Sequence, residues 1–281
     1  MPGLTIMATP TRIRGKDRTG QSGVLRLSLK PRYGKTVLTK RYWEAPFGAV
    51  RANYPDGSGI PEVQTTNPSG GILGGDHLEI DIDLAPGSAA TVLTQAAHKV
   101  YKGVEARQKA VFRIGGGSFL EYLPHHVIPF PHSSYRQETN IHLSEDATLL
   151  FWDAFCAGRV ARGERFVFDR LSGMTRIFRE ELPETVDGLD LLPGGEPFGG
   201  YSYLGTVYVL ASRNLEPMAE ELHRVLSGAS RMLASASAPS PRLCVARILA
   251  WDATILYRVL NACRSTARAY LNLSPAAREV W

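Results

Sequence analysis

Leu78-Glu79-Ile80-Asp81-Ile82-Asp83-Leu84 alternates apolar and acidic side chains without a break. An extended chain turns successive side chains to opposite faces, so this stretch has one face to bury and one for water. A helix would scatter the same residues around its circumference. Leu25, Leu27 and Leu29 repeat the pattern against Arg26, Ser28 and Lys30, and Tyr135 through Leu143 runs the same way, with Ile141 and Leu143 ending its apolar side. These stretches read as half-buried antiparallel strands. Shorter β-rich runs at 109–114, 118–123, 147–153, 164–169, 173–179 and 203–211 are separated by Gly, Pro, Asp or Ser turns. So many short strands predict a mainly-β chain of stacked antiparallel or solenoid-like sheets in one large domain.

Helical periodicity enters only in the C-terminal third. Pro217 can open a helix with Met218, Leu222, Val225 and Leu226 on one face, and Gly228 can end it. The Ser-, Ala- and Pro-rich segment 229–241 then reads as a loop. Asp252 can cap a second helix, whose apolar stripe is Ile255, Leu256, Val259, Leu260, Cys263, Ala267 and Tyr270.

The 281 residues are 44% hydrophobic and 21% charged, which suits a folded domain with a sizeable core. No apolar run reaches the roughly 18–20 residues of a membrane span, so no membrane partner is expected. The first segment has neither an apolar signal core nor the Ser-rich amphipathic pattern of a transit peptide. Cys156, Cys244 and Cys263 are far apart and form no CxxC pair. They read as reduced, core-filling thiols of a cytoplasmic protein.

Net charge is +5, unevenly spread: residues 1–41 hold ten Lys/Arg against Asp17 alone, and the remainder carries 22 bases and 26 acids. Residues 1–22 lack apolar periodicity and interleaved aromatics, so they read as a basic, disordered tail on a single domain spanning 23–281. No nucleic-acid partner is expected from them. Trp43, Phe47, Tyr201 and Tyr203 stand in loop-like contexts, where exposed aromatics often mark an interface.

Four stretches could carry chemistry. Asn67-Pro68-Ser69-Gly70-Gly71-Ile72-Leu73-Gly74-Gly75-Asp76-His77 crowds glycine before a strand. A phosphate loop would open into a helix and carry Gly-Lys-Ser/Thr, and this one does neither. Either it is a tight turn, or its glycines aim Asp76 and His77 into a cavity or interface. Thr94-Gln95-Ala96-Ala97-His98-Lys99 offers one imidazole and one cation.

In Leu120-Glu121-Tyr122-Leu123-Pro124-His125-His126, adjacent strand residues would point to opposite faces, so the two histidines could not readily clasp one ion. Phe151-Trp152-Asp153-Ala154-Phe155-Cys156-Ala157-Gly158-Arg159, followed by Gly163-Glu164, sets a carboxylate among apolar neighbours, with Arg159 its nearest candidate partner. No nucleophile–base motif, zinc-ligand spacing or dinucleotide fingerprint is present.

Taken in order, these stretches resemble the UreD (UreH) family of urease accessory proteins. The resemblance rests on Gly70-Gly71-Ile72 with Gly74-Gly75-Asp76, on Thr94-Gln95-Ala96 with Lys99-Val100-Tyr101, on Leu120-Glu121-Tyr122-Leu123-Pro124, and on Trp152-Asp153 with Gly158-Arg159 and Gly163-Glu164. It continues through Val245-Ala246-Arg247-Ile248-Leu249 to Arg278-Glu279-Val280-Trp281, and covers roughly residues 24–281.

It implies a mostly-β, non-enzymatic maturation scaffold that binds UreF directly and UreG through UreF. The assembly, a dimer of the accessory complex included, would dock on apo-urease and help deliver nickel. It further implies a water-filled internal route for Ni²⁺, a transient cargo, with no tightly bound cofactor. By motif position Asp76, His77, His98, Asp153 and Glu164 would face that route. His77 stands where the family often has Glu or Arg, His98 where Ser or Thr is usual, and Ala277-Arg278 where Pro-Arg is usual. Nickel accepts imidazole and carboxylate, and relay asks for weak, incomplete sites. The alternative reading is a divergent hydrolase or nucleotide-binding enzyme using the Gly74–His77 region.

Overall fold

A computed structural model describes residues 20–227 and 230–281. Two β-sheets stack face to face, and two helices cover the outer face of the second. The first sheet joins β1 (Ser22–Arg32), β2 (Lys35–Glu44), β5 (His77–Leu84), β8 (Ala106–Ile114), β11 (Ser134–Leu143), β13 (Arg170–Arg179) and β14 (Leu182–Leu191) in the order β14-β13-β11-β8-β5-β1-β2. The second joins β3 (Arg51–Asn53), β4 (Glu62–Thr65), β6 (Ala89–Thr94), β9 (Phe119–Leu123), β12 (Thr148–Cys156), β15 (Tyr203–Leu210), β16 (Met232–Ser240) and β17 (Leu243–Ala250). Two short strands, β7 (His98–Val100) and β10 (Val127–Pro129), pair beside β12. The helices are α1 (Glu216–Ser227) and α2 (Ala253–Tyr270).

The chain steps between layers, from β5 to β6, β8 to β9 and β11 to β12, so neighbours within a sheet run parallel. The mainly-β, solenoid-like domain with two late helices is therefore what the periodicity anticipated. Strand direction differs: the long alternating strands pair mostly in parallel, with antiparallel partners at the margins, such as β2 on β1 and β14 on β13. Alternation reports which side chains turn inward and is the same for either direction of neighbour.

The apolar rows meet between the layers, where Leu25, Leu27, Leu29, Ile82, Phe112 and Ile141 are fully buried against Val92, Leu120 and Leu149. Apart from Thr148 and Asp153, β12 is apolar because both its faces are covered. Leu149, Phe151 and Phe155 look toward the first sheet, while Leu150, Trp152 and Ala154 pack with the helices.

Three local expectations are corrected. Within the expected loop 229–241, Met232–Ser240 is strand: β16 pairs with β17, and α1 covers its alternate alanines. Residues 164–169 form no strand, although Phe166 and Phe168 are buried in the core. Val225 is exposed, and Phe47, Tyr201 and Tyr203 are half-buried against core clusters, which leaves Trp43 as the exposed aromatic of that group. Gly228 and the tail up to residue 19 lie outside the described residues, and the folded chain already includes Ser22 of β1. The three cysteines are buried and unbridged. Among the described residues no helix is long and apolar enough to cross a membrane.

Candidate functional site

Along the inward face of the first sheet, most of each row is aliphatic, but two neighbouring rows are polar where they approach β12. Gln108 of β8 and Gln137 of β11 are partners in register, followed by Gly173 of β13. One step along, Thr139, Thr175 and Asp187 align across β11, β13 and β14. Opposite them Asp153 of β12 pairs in register with Thr206 of β15, and Thr206 with Arg247 of β17. All of these except Asp187, Gly173 and Arg247 are buried polar residues. They form a hydrophilic seam between otherwise apolar layers.

Asp153 is its centre. Its Oδ2 accepts a 2.8 Å hydrogen bond from Gln137 Nε2 and its Oδ1 a 3.0 Å bond from the amide of Ala154. Arg159 is not its partner: that guanidinium forks onto Glu164 at 2.5 and 2.6 Å. Burial pushes the Asp153 carboxyl up to about 7, against the pull of its two donors, and the charge of Asp187 adds to the rise. The same burial raises the phenols of Tyr122 and Tyr135 beside it. Toward the margin of the sheets Asp187 accepts from the Tyr208 hydroxyl at 2.5 Å and pairs with the exposed Arg247 at 2.8 Å. The seam thus runs from a buried carboxyl to a solvent-facing ion pair.

In the other direction Gln108 lines a cavity of about 140 Å³ together with Thr65, Thr94, Gln95, His98 and Lys99. Behind β7, on the helix side, His125 and His126 lie in the irregular link before β10, and their rings sit 4.5 Å apart. Both Nδ1 atoms are 2.8 Å from one hydroxyl, that of Tyr257 on α2, and the Trp281 ring packs on His125 at 4.6 Å. The opposite-face expectation fails because these residues are not in a strand. His98 donates its amide to His126 O at 3.0 Å, which brings the third imidazole close. Burial lowers His98 and His126 to about 4 and His125 to about 3, with neighbouring imidazoles adding to the depression of the last two. Among the described residues no group of three or more His, Cys, Asp or Glu is arranged to hold a metal ion.

The five candidate residues are therefore not one cluster. His98 and Asp153 lie near opposite ends of the Gln108–Gln137 row. Asp76 is buried with both oxygens engaged, accepting from Gln21 N and Leu73 N at 2.8 Å each. The turn that presents it needs its glycines: Gly75 has φ +83°, and a Cβ on Gly74 would sit 2.7 Å from Gly103 Cα. His77 faces solvent at the start of β5, its Nδ1 2.9 Å from Gly75 O. Glu164 is closed by Arg159. The residues not anticipated are Gln108, Gln137, Asp187 and Tyr257. The first two carried a signal, since each is polar at the apolar phase of its strand, between Ala106 and Ala110 and between Tyr135 and Ile141.

The family model described as "UreD urease accessory protein" matches residues 21–281. "Urease accessory protein UreD" of Cenarchaeum symbiosum (strain A) is 33% identical over 280 residues, 91% of this chain and 96% of that protein. The protein of the same name from Dechloromonas aromatica (strain RCB) is 37% identical over 151 residues, 53% of this chain and 52% of its own. That of Lachnoclostridium phytofermentans is 29% identical over 216 residues, 74% and 79% of the two chains.

Proposed function

The chain belongs to the UreD urease accessory protein family, and from that premise we propose that it is a non-enzymatic, cytoplasmic scaffold that helps load nickel into urease. In this reading it binds UreF directly and UreG through UreF, and the assembly docks on apo-urease. Nickel is cargo and passes along the interlayer seam, from the His98 cavity past Gln108 and Gln137 to Asp153, and out by Asp187. Asp76, His77 and Glu164 fall outside this path.

The observation that supports the route is the placement of Asp153. A carboxyl buried between apolar layers, with no cation beside it among the described residues, is costly to ionise and contributes little to holding the fold. A divalent cation would supply the missing charge. Carboxylates and amide oxygens spaced along a row bind one at a time, so each holds the ion weakly enough to release it. At neutral pH Asp153 is near its midpoint and can exchange a proton for the ion.

The test is Asp153→Asn and Asp187→Asn, singly and together, in cells expressing urease with its accessory proteins. Complex yield should match wild type, while nickel per urease falls several-fold in the double variant. Normal nickel in the double variant, or nickel loss that merely follows loss of complex, overturns the route.

A further inference from the structure

We propose that β2 is a docking edge for an acidic polypeptide segment of a partner protein, which adds to the first sheet as an extra strand. Among the described residues β2 ends that sheet and pairs only with β1, so one side of its backbone has no strand partner there. From Thr39 to Glu44 every residue is exposed. Lys40 and Tyr42 lie on the solvent face, in register with Ser28 and Arg26. Arg41 and Trp43 lie on the other, beside Leu27 and Leu25. Each face of the strand thus offers one cation and one aromatic ring.

The β1–β2 hairpin is strongly one-signed. Arg26, Lys30, Arg32, Lys35, Lys40 and Arg41 are opposed by Glu44 alone, and among the described residues only Arg26 of these bases has a carboxylate within reach, Asp81 at 3.5 Å. Lysine on an edge strand commonly serves to discourage edge pairing. That explanation covers the lysines but not Tyr42, Trp43, Tyr33 and Tyr54, all exposed on or beside the hairpin. Exposed rings would undo such a guard, whereas aromatics with arginine are what protein interfaces enrich. Lys35 already lies 4.9 Å over the Tyr54 ring.

Strand addition draws affinity from the backbone and specificity from side chains alternating between faces. Carboxylates on an incoming strand would meet Lys40 on one face and Arg41 on the other. A single-stranded nucleic acid would feel the same charge, but it binds by stacking bases along one platform, and here Tyr42 and Trp43 point to opposite faces.

The experiment uses the full chain and a fluorescein-labelled peptide alternating Glu and Val, matched to the ten residues of β2. Anisotropy should report binding that weakens as salt rises and is lost by about tenfold or more in Lys40→Glu/Arg41→Glu. Lys40→Ala/Arg41→Ala should fall between. Both variants alter exposed side chains and should keep the wild-type thermal transition. Bound peptide should slow amide hydrogen exchange in β2. Failure of the peptide to bind, equal binding to the charge-reversed variant, or unchanged exchange in β2 overturns the proposal. So does tighter binding of an oligothymidine with the same sensitivity to Lys40→Glu/Arg41→Glu, which would assign the edge to nucleic acid.

Discussion

Asp76 and Asp153 are both buried carboxyls, and their surroundings give them opposite tasks. Asp76 accepts one backbone amide on each oxygen and so ties the start of β1 to the glycine turn before β5. Asp76→Asn would point an amide NH₂ at one of those N–H groups and should cost about 1.5–3 kcal/mol, seen as a lower urea midpoint. Asp153 behaves the other way. Its folded value near 7 lies above its ordinary 3.8, so the native state holds this proton more tightly than the unfolded chain does. Its contribution to stability is complete below about pH 4 and is lost as pH rises through 7. Asp153→Asn should therefore exceed wild type modestly at pH 5 and by more at pH 8, where the gap reaches at most about 4 kcal/mol. Urea titration of both proteins at the two pH values decides this, and a variant less stable than wild type at pH 8 contradicts it.

At the level of elements, α2 shows how one helix organises the second layer. Asp252 caps it, accepting from Ile255 N at 2.9 Å, and the apolar stripe from Ile255 to Ala267 seats it on the sheet. Its far half sends Arg264 and Arg268 into the core onto Glu121 of β9, at 2.6 and 3.1 Å. Burial alone would raise Glu121, but the two guanidiniums and the Thr91 hydroxyl outweigh it and hold the carboxyl below its ordinary range. Glu121→Leu would strand two buried cations and should cost about 3–5 kcal/mol, with loss of soluble protein. The β16 element was hidden for a related reason. Ser, Ala and Pro carry little β-propensity, and this segment extends only because β17 supplies its hydrogen bonds and α1 its cover.

The whole molecule should be acid-sensitive in a definite window. His98, His125 and His126 are held neutral to about 4, 3 and 4, below their ordinary 6.5. On unfolding each would take up a proton below pH 6.5, so their stabilisation is complete above that pH and is lost as pH falls toward 4. Each contributes up to about 1.4 kcal/mol per pH unit in that range. Asp153 opposes one of the three, because it gains its proton in the folded state. His125→Asn/His126→Asn should flatten the fall in unfolding free energy between pH 6.5 and 4, whatever it does to stability at pH 8. An unchanged slope would mean that those imidazoles are already protonated in the fold.

Side-chain order along the chain was enough to determine the alternating strands, the two late helices, the cap at Asp252 and the buried thiols. Each follows from local periodicity, and burying an apolar face is the largest favourable term in folding. The polar phases of Gln108 and Gln137 were equally legible. Tertiary structure alone decided that the strands lie parallel, that Arg159 takes Glu164 rather than Asp153, and that Asp76 serves the turn. It alone joined His98, a buried glutamine row, Asp153 and Asp187 into one seam. Partner choice for a polar group depends on which residues from distant strands arrive in register, and periodicity carries no record of that. A buried carboxyl must be satisfied by something, but only the stacked layers determine by what.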